Sequence, residues 1–338
     1  MGGGRYPDGP TRCAFECPGR ARACAEPEVV GRRPLNANRN RPPPLASGGL
    51  AREFADHVAG RGFFSDGDRI LVGVSGGLDS LALLYLLKFS PALPALELVV
   101  GHFDHRMRSG SDADAHWVRG WATAWGIEFV LGGPAGSLSN EDEARRARYS
   151  FFEQERSSRG ARWVVTGHHA DDQAETILFR ILRGTGLHGL EGIPEVRVPG
   201  ILRPLLPFTR DRLAQYAGAK GIRPRVDPSN EDPRFARNVI RNEILPRIES
   251  AVAPGARRSL LRLGRIAGRD EAAWKPILEA VVRDLVTEVD EGRIEIDRVA
   301  FLGQEEGVRA RVVRELAGRL GVTPGEAGIR SALAFISA

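Results

Sequence analysis

The sequence predicts an α/β fold, a doubly wound and mostly parallel sheet followed by a smaller, mainly helical C-terminal domain. Three observations carry this. From residue 49 onward short β-branched runs alternate with amphipathic stretches, a Ser-Gly-Gly-x-Asp-Ser turn joins the first such run to the first helix, and beyond Pro254-Gly255 the pattern is mainly helical.

Taken in order, residues 69–74, 97–102, 128–131 and 162–166 are the candidate strands, each four to six residues of mostly apolar character. Helices fit between them at 78–88, 112–125 and 140–159, the last opening with Asn140 as cap and Glu143 three residues on. A fourth helix fits 170–182. A Gly/Pro-punctuated loop follows, then amphipathic stretches at 209–220 and around 234–248, and a strand-like Arg293-Ile294-Glu295-Ile296-Asp297 interrupts the helical C-terminal part. The resulting division is residues 1–48 as a disordered tail, 49–250 as the α/β domain and 251–338 as the helical domain.

The tail combines Gly, Pro and Arg with few large apolar side chains, so burial cannot offset its ordering entropy, and it lacks the apolar core of a secretory signal. It also holds much of the charge. Eight Arg against four acidic residues lie there, leaving the remaining 290 residues near +1 of the overall +5. Lysine occurs only at Lys88, Lys220 and Lys275, so global basicity does not by itself establish nucleic-acid binding. All three cysteines, Cys13, Cys17 and Cys24, are in the tail as well. Disulfides therefore do not hold the folded part together, as expected of a cytoplasmic protein. The longest apolar runs, 81–87 and 96–100, fall far short of the roughly 18 residues a bilayer span needs.

Chemistry concentrates first at Ser75-Gly76-Gly77-Leu78-Asp79-Ser80, where the first strand turns into the first helix. Paired glycines let a ligand approach the backbone, the helix start presents unpaired N–H groups, and its dipole favours negative charge. Ser75 and Ser80 add hydroxyls, and Asp79 suits a Mg²⁺ ion bridging phosphate oxygens. No Gly-x-x-x-x-Gly-Lys-Ser/Thr sequence is present, which argues against γ-phosphoryl transfer. The loop instead resembles that of the PP-loop ATP pyrophosphatases, which implies ATP as substrate, AMP transfer and pyrophosphate release.

Further segments narrow the resemblance. The run Thr166-Gly167-His168-His169-Ala170-Asp171-Asp172-Gln173-Ala174-Glu175-Thr176 and Arg183-Gly184-Thr185-Gly186 are similar to the tRNA(Ile)-lysidine synthetase family. So are His102-Phe103-Asp104-His105 with Arg108, Glu143-Ala144-Arg145, Arg148-Tyr149, Asp227-Pro228-Ser229-Asn230, Arg237-Asn238 and Arg241. Asp172 and Glu175 are three apart and share a helix face, a pair suited to an ammonium group. The resemblance implies that they form the pocket for free L-lysine, either one serving as base, and that the other substrate is an isoleucine tRNA with a CAU anticodon.

Permanently charged Arg145, Arg148, Arg237 and Arg241 are candidates to balance the triphosphate and the charge that develops as AMP leaves. The histidines at 102, 105, 168 and 169 rank below the carboxylates. Arg257, Arg258, Arg262, Arg265 and Arg269 are candidates for tRNA-backbone contacts. Oligomeric state is left open, a homodimer included. Three rivals stand beside this reading: a tRNA thiolase, disfavoured because no cysteine lies in the core; an amide-forming ligase, which shares the loop but lacks the His-His-Ala-Asp-Asp segment; and a non-catalytic ATP sensor, which has no use for a second carboxylate pair.

Overall fold

A computed structural model describes residues 48–106, 110–136, 140–225, 231–290 and 292–338. The tail with its cysteines, Arg108 and the Asp227-Pro228-Ser229-Asn230 run lie outside the described residues. Along the chain come α1 (Gly48–Gly60), β1 (Arg69–Gly73), α2 (Leu78–Phe89), β2 (Glu97–Phe103), α3 (Ser111–Ala124), β3 (Glu128–Gly132), α4 (Glu141–Ser158), β4 (Trp163–Thr166) and α5 (Ala170–Leu182). A 3₁₀ turn (Leu187–Glu191), β5 (Val196–Arg197), β6 (Ile201–Leu202) and α6 (Arg210–Ala219) follow. Next is one helical run of α7 (Ala236–Val239), a π turn (Ile240–Ile244) and α8 (Leu245–Ala251). Then come α9 (Ala256–Leu285), the hairpin β7 (Val286–Asp290) and β8 (Arg293–Ile296), α10 (Arg298–Leu302), α11 (Glu306–Arg319) and α12 (Glu326–Ser337).

The main sheet has the order β3-β2-β1-β4-β6-β5, parallel except for β5 at the edge. Because side chains alternate along a strand, β1 feeds two cores. Ile70 and Val72 face the larger one, packed with α1, α2, α3 and α6 through Phe54, Leu81, Val118 and Leu213. Leu71 faces the other, packed with Val99, Val164 and Phe152 of α4. Strand order reverses between β1 and β4, since β2 and β3 lie to one side and β4 and β6 to the other. In open α/β sheets that reversal opens a crevice at the carboxyl ends of the strands, and the turn after β1 sits there.

Asn140 caps α4 as its position predicts, its Oδ1 accepting from the Glu143 N–H at 2.9 Å. Three tryptophans, Trp117, Trp121 and Trp125, line one side of α3 at four-residue spacing, with ring centroids 6.2 and 4.8 Å apart. The strands β5 and β6 and helix α1 have no counterpart among the elements the sequence predicts. Helix α9 begins directly after Gly255, whose φ of 87° needs glycine, and its 30 residues make a rod of about 45 Å. One part of the rod lies against α5 and the 3₁₀ turn at Gly264, where a Cβ would meet Ile177 Cδ1 at 2.6 Å. At its end, Val282 and Leu285 join Phe301 and Val312 in a small separate core. Among the described residues no helix is long and apolar enough to cross a membrane.

Candidate active site

The turn after β1 is shaped by one glycine and by its own hydrogen bonds. Gly76 has φ 90°, a conformation costly for any residue with a Cβ. Ser80 Oγ donates to the Gly77 carbonyl at 3.0 Å and accepts from the Ser75 N–H at 3.2 Å, and Ser75 Oγ lies 3.3 Å from it. Both hydroxyls thus brace the loop, a role beyond the phosphate contacts that the sequence predicts. Leu78 and Asp79 open α2 behind Gly77, so the free N–H groups of that helix face the crevice. His102 donates through Nδ1 to the Val74 carbonyl at 2.8 Å and is buried, a supporting role that fits its low rank as a ligand.

A second loop presses on the first. A Cβ on Gly167 would come within 3.1 Å of the Asp79 backbone and the Ser80 nitrogen, so glycine lets β4 lead into α5 this close to the start of α2 without pushing that backbone aside. His169 caps α5 through the Asp171 N–H, while Asp172 accepts from the His169 N–H at 3.0 Å, a reciprocal capping box. The His169 ring, 2% exposed, then bridges two carboxylates, with Nε2 3.5 Å from Asp79 Oδ2 and 3.5 Å from Asp172 Oδ2. Burial opposes protonation of His169, yet Asp79, Asp172 and Asp171 together raise its pKa above the ordinary value.

Asp172 and Glu175 share a buried face of α5, as their spacing requires, and both meet arginines from the run 236–251. Arg241 donates through Nε to Glu175 at 2.7 Å and through Nη2 to Asp172 at 2.9 Å; Arg237 reaches Glu175 at 3.4 Å. The acidic pair and two of the four candidate arginines therefore form one cluster. Burial would raise the Asp172 pKa, but His169, Arg237 and the His169 N–H hold it below the usual carboxylate range. Arg148 and Arg145 occupy the other flank, their guanidinium carbons 5.5 and 5.1 Å from the Tyr149 ring centre, with Arg197 at 5.2 Å.

One group escapes a motif-based reading altogether. Arg203, 1% exposed and just past β6, donates to the Pro194 carbonyl at 2.7 Å and lies close enough to His168 and Tyr149 to shift both. Burial foremost, then Arg203, Arg237 and Arg148, push His168 down to about 3 against the pull of Asp172. Burial would raise Tyr149, but Arg203, Arg145 and Arg148 hold it below its ordinary value. The cue for Arg203 in the sequence is a lone charge inside Ile201-Leu202-Arg203-Pro204-Leu205-Leu206. Asp79 Oδ1 is buried without a protein partner, which suits a cation ligand. No three acidic, His or Cys side chains among the described residues form a metal site of their own, so phosphate oxygens and water would complete the shell.

The sequence and the fold have known counterparts. The PP-loop domain family matches residues 50–248. The chain is similar to tRNA(Ile)-lysidine synthase of Geobacter sulfurreducens, 38% identical over 266 residues that cover 76% of this chain and 56% of that protein. It is 38% identical to the Chlorobaculum tepidum enzyme of that name over 65% of this chain and 69% of that one, and 36% identical to the Gloeobacter violaceus one over 82% and 85%. It thus spans little more than half of some relatives and most of others. Among solved structures, the U34-tRNA thiolase NcsA from Methanococcus maripaludis shares the fold, with a TM-score of 0.54 at 18% identity over 65% of this chain and 79% of that one. With a phosphate loop, a capping His-His-Ala-Asp-Asp helix and relatives matched over most of their length, the chain belongs to the tRNA(Ile)-lysidine synthase family of PP-loop proteins.

Proposed function

We propose that the chain makes lysidine, transferring AMP from ATP to the wobble cytidine of an isoleucine tRNA with a CAU anticodon and then replacing AMP with free L-lysine. One observation carries this beyond family membership: a continuous path from the phosphate loop through Asp79 and His169 to the buried pair Asp172 and Glu175. In the first step cytidine O2 bonds to the α-phosphorus and pyrophosphate leaves. In the second, the lysine ε-nitrogen, having lost its proton, bonds to C2 while the C2–O bond breaks and AMP departs. In this reading Asp172 and Glu175 form the lysine pocket, with either one serving as the base for that proton.

Arg145, Arg148, Arg237 and Arg241 balance the charge of the triphosphate and of the departing AMP. Mg²⁺, when bound at Asp79, neutralises phosphate charge. Residues 49–250 are the catalytic domain and 251–338 the tRNA-recognition domain, with the α9 arginines facing the tRNA backbone; the setting is cytoplasmic. Residues 48–338 contain no cysteine, which leaves a thiolase reading without a sulfur carrier or cluster ligand.

Pyrophosphate release with ATP, lysine and either isoleucine or methionine tRNA tests the reading, and only the isoleucine tRNA should support turnover. Asp172→Asn and Glu175→Gln then separate the steps. Adenylation uses no lysine atom, so adenylated tRNA should accumulate, while lysidine formation at ordinary lysine levels drops roughly 30-fold or more and recovers partly at high lysine. Pyrophosphate release indifferent to tRNA, or loss of adenylation in both amide variants, would assign the cluster to other chemistry.

A further inference from the structure

The acidic pair assigned to lysine is already occupied by the protein's own cations. Arg241 holds Glu175 through two nitrogens, at 2.7 and 2.8 Å, and Asp172 through one at 2.9 Å, while Arg237 approaches both at 3.4 and 4.0 Å. Glu175 is 2% exposed. An incoming ammonium would meet two guanidinium groups of like charge beside a carboxylate withdrawn from solvent, and would have to displace them to reach it. The charges nearby explain why the cluster is content without lysine. Asp172 and Glu175 face Arg237 and Arg241, two carboxylates against two guanidinium groups, and these charges cancel.

A polyphosphate on the loop changes that balance. It brings several negative charges to the start of α2, beside Asp79, which already contributes to the field at Arg241. Guanidinium pairs with phosphate as readily as with carboxylate, and bidentately. The backbone under Arg241 is also unlike an ordinary helix. The residue lies in the π turn Ile240–Ile244, where the Leu245 N–H reaches back to the Ile240 carbonyl, and the next residue, Pro246, has no N–H with which to restore a regular turn.

We propose that Arg241 is a nucleotide-operated gate on the lysine site: it holds Asp172 and Glu175 until ATP draws its guanidinium toward the phosphate loop, and lysine then takes the vacated carboxylates. Substrates consequently bind in order, nucleotide before lysine. The inference rests on the assignment of this pair to lysine. Arg237, whose contacts are longer, contributes less.

Equilibrium dialysis of labelled L-lysine against the full chain tests the gate, with and without saturating magnesium α,β-methylene-ATP, which cannot release pyrophosphate. Nucleotide should tighten lysine binding at least tenfold in the wild type. In Arg241→Gln the nucleotide-free affinity should approach that of the nucleotide-bound wild type, so that the coupling shrinks below threefold, whereas Arg237→Gln retains most of it. Equal lysine affinity with and without nucleotide in the wild type overturns the gate, as does weaker lysine binding by Arg241→Gln in both states. Should Arg241→Gln not fold, the wild type alone decides, because lysine must then tighten nucleotide binding by the same factor. Failure of the lysine assignment itself reads differently, as lysine binding unchanged in Asp172→Asn and Glu175→Gln.

Discussion

At the scale of single residues, adjacent histidines at the end of β4 are held in opposite states. His169, caught between Asp79 and Asp172, gains proton affinity on folding; His168, half-buried near Arg203, Arg237 and Arg148, loses it. The consequences for stability have opposite signs. The His169 contribution is fully present below pH 6.5 and is lost as pH rises through its raised pKa. That of His168 is complete above 6.5 and is lost as pH falls toward about 3, because the unfolded chain takes up a proton the folded one refuses. His168→Gln, which does not titrate, should therefore flatten the acid side of the stability profile. Between pH 7 and 5 the wild type should lose on the order of 1–2 kcal/mol more than the variant in paired urea melts. An identical acid limb in both proteins would mean that His168 is protonated in the folded state.

At the scale of elements, close approach between helices is set by small residues. Gly264 lets α9 approach α5, and an alanine there gains helix propensity of about 1 kcal/mol while pressing on Ile177 Cδ1 and the Leu190 carbonyl. Ile177→Val removes the pressed carbon, so Gly264→Ala and Ile177→Val combined should be more stable than the sum of the single changes, by about 1 kcal/mol in a double-mutant cycle. Strict additivity would place the two helices farther apart.

Elements of ordinary length were legible in the sequence because their periodicities differ: β1 to β4 and α2 to α5 fall within a residue or two of the runs that predict them. Two-residue strands such as β6 carry no periodicity, and their partners are fixed only by the sheet around them. The candidate site divides in the same way. The loop at 75–80 and the pair Asp172 and Glu175 are local patterns, readable from spacing. That Arg241 inserts between those carboxylates from 66 and 69 residues away follows from the packing of α5 against the run 236–251, which no local pattern encodes. Arg203 is hidden likewise, since nothing short-range says what surrounds a charge in an apolar run.

At the scale of the whole molecule, every residue assigned to the site lies between Ser75 and Arg241, and the larger core begins at Leu50 of α1. A chain that starts at Gly48 should keep its melting temperature within a few degrees and its pyrophosphate release within about twofold, since every core and site residue among the described ones is kept. A large fall in turnover with an unchanged melt would show that residues 1–47 contact the tRNA. The tryptophans of α3 add something of a different kind. Gly76 sits so near that helix that a Cβ on it would lie 3.2 Å from Val118 and 3.9 Å from Trp117. Indole emission depends on the polarity and charge around the ring, so filling the phosphate loop should alter the fluorescence of Trp117, and of Trp121 and Trp125 behind it. Trp274, on α9 under Arg311 and far along the chain, supplies a signal of separate origin. The molecule therefore carries its own optical probe of nucleotide occupancy, readable in a stopped-flow instrument without a label.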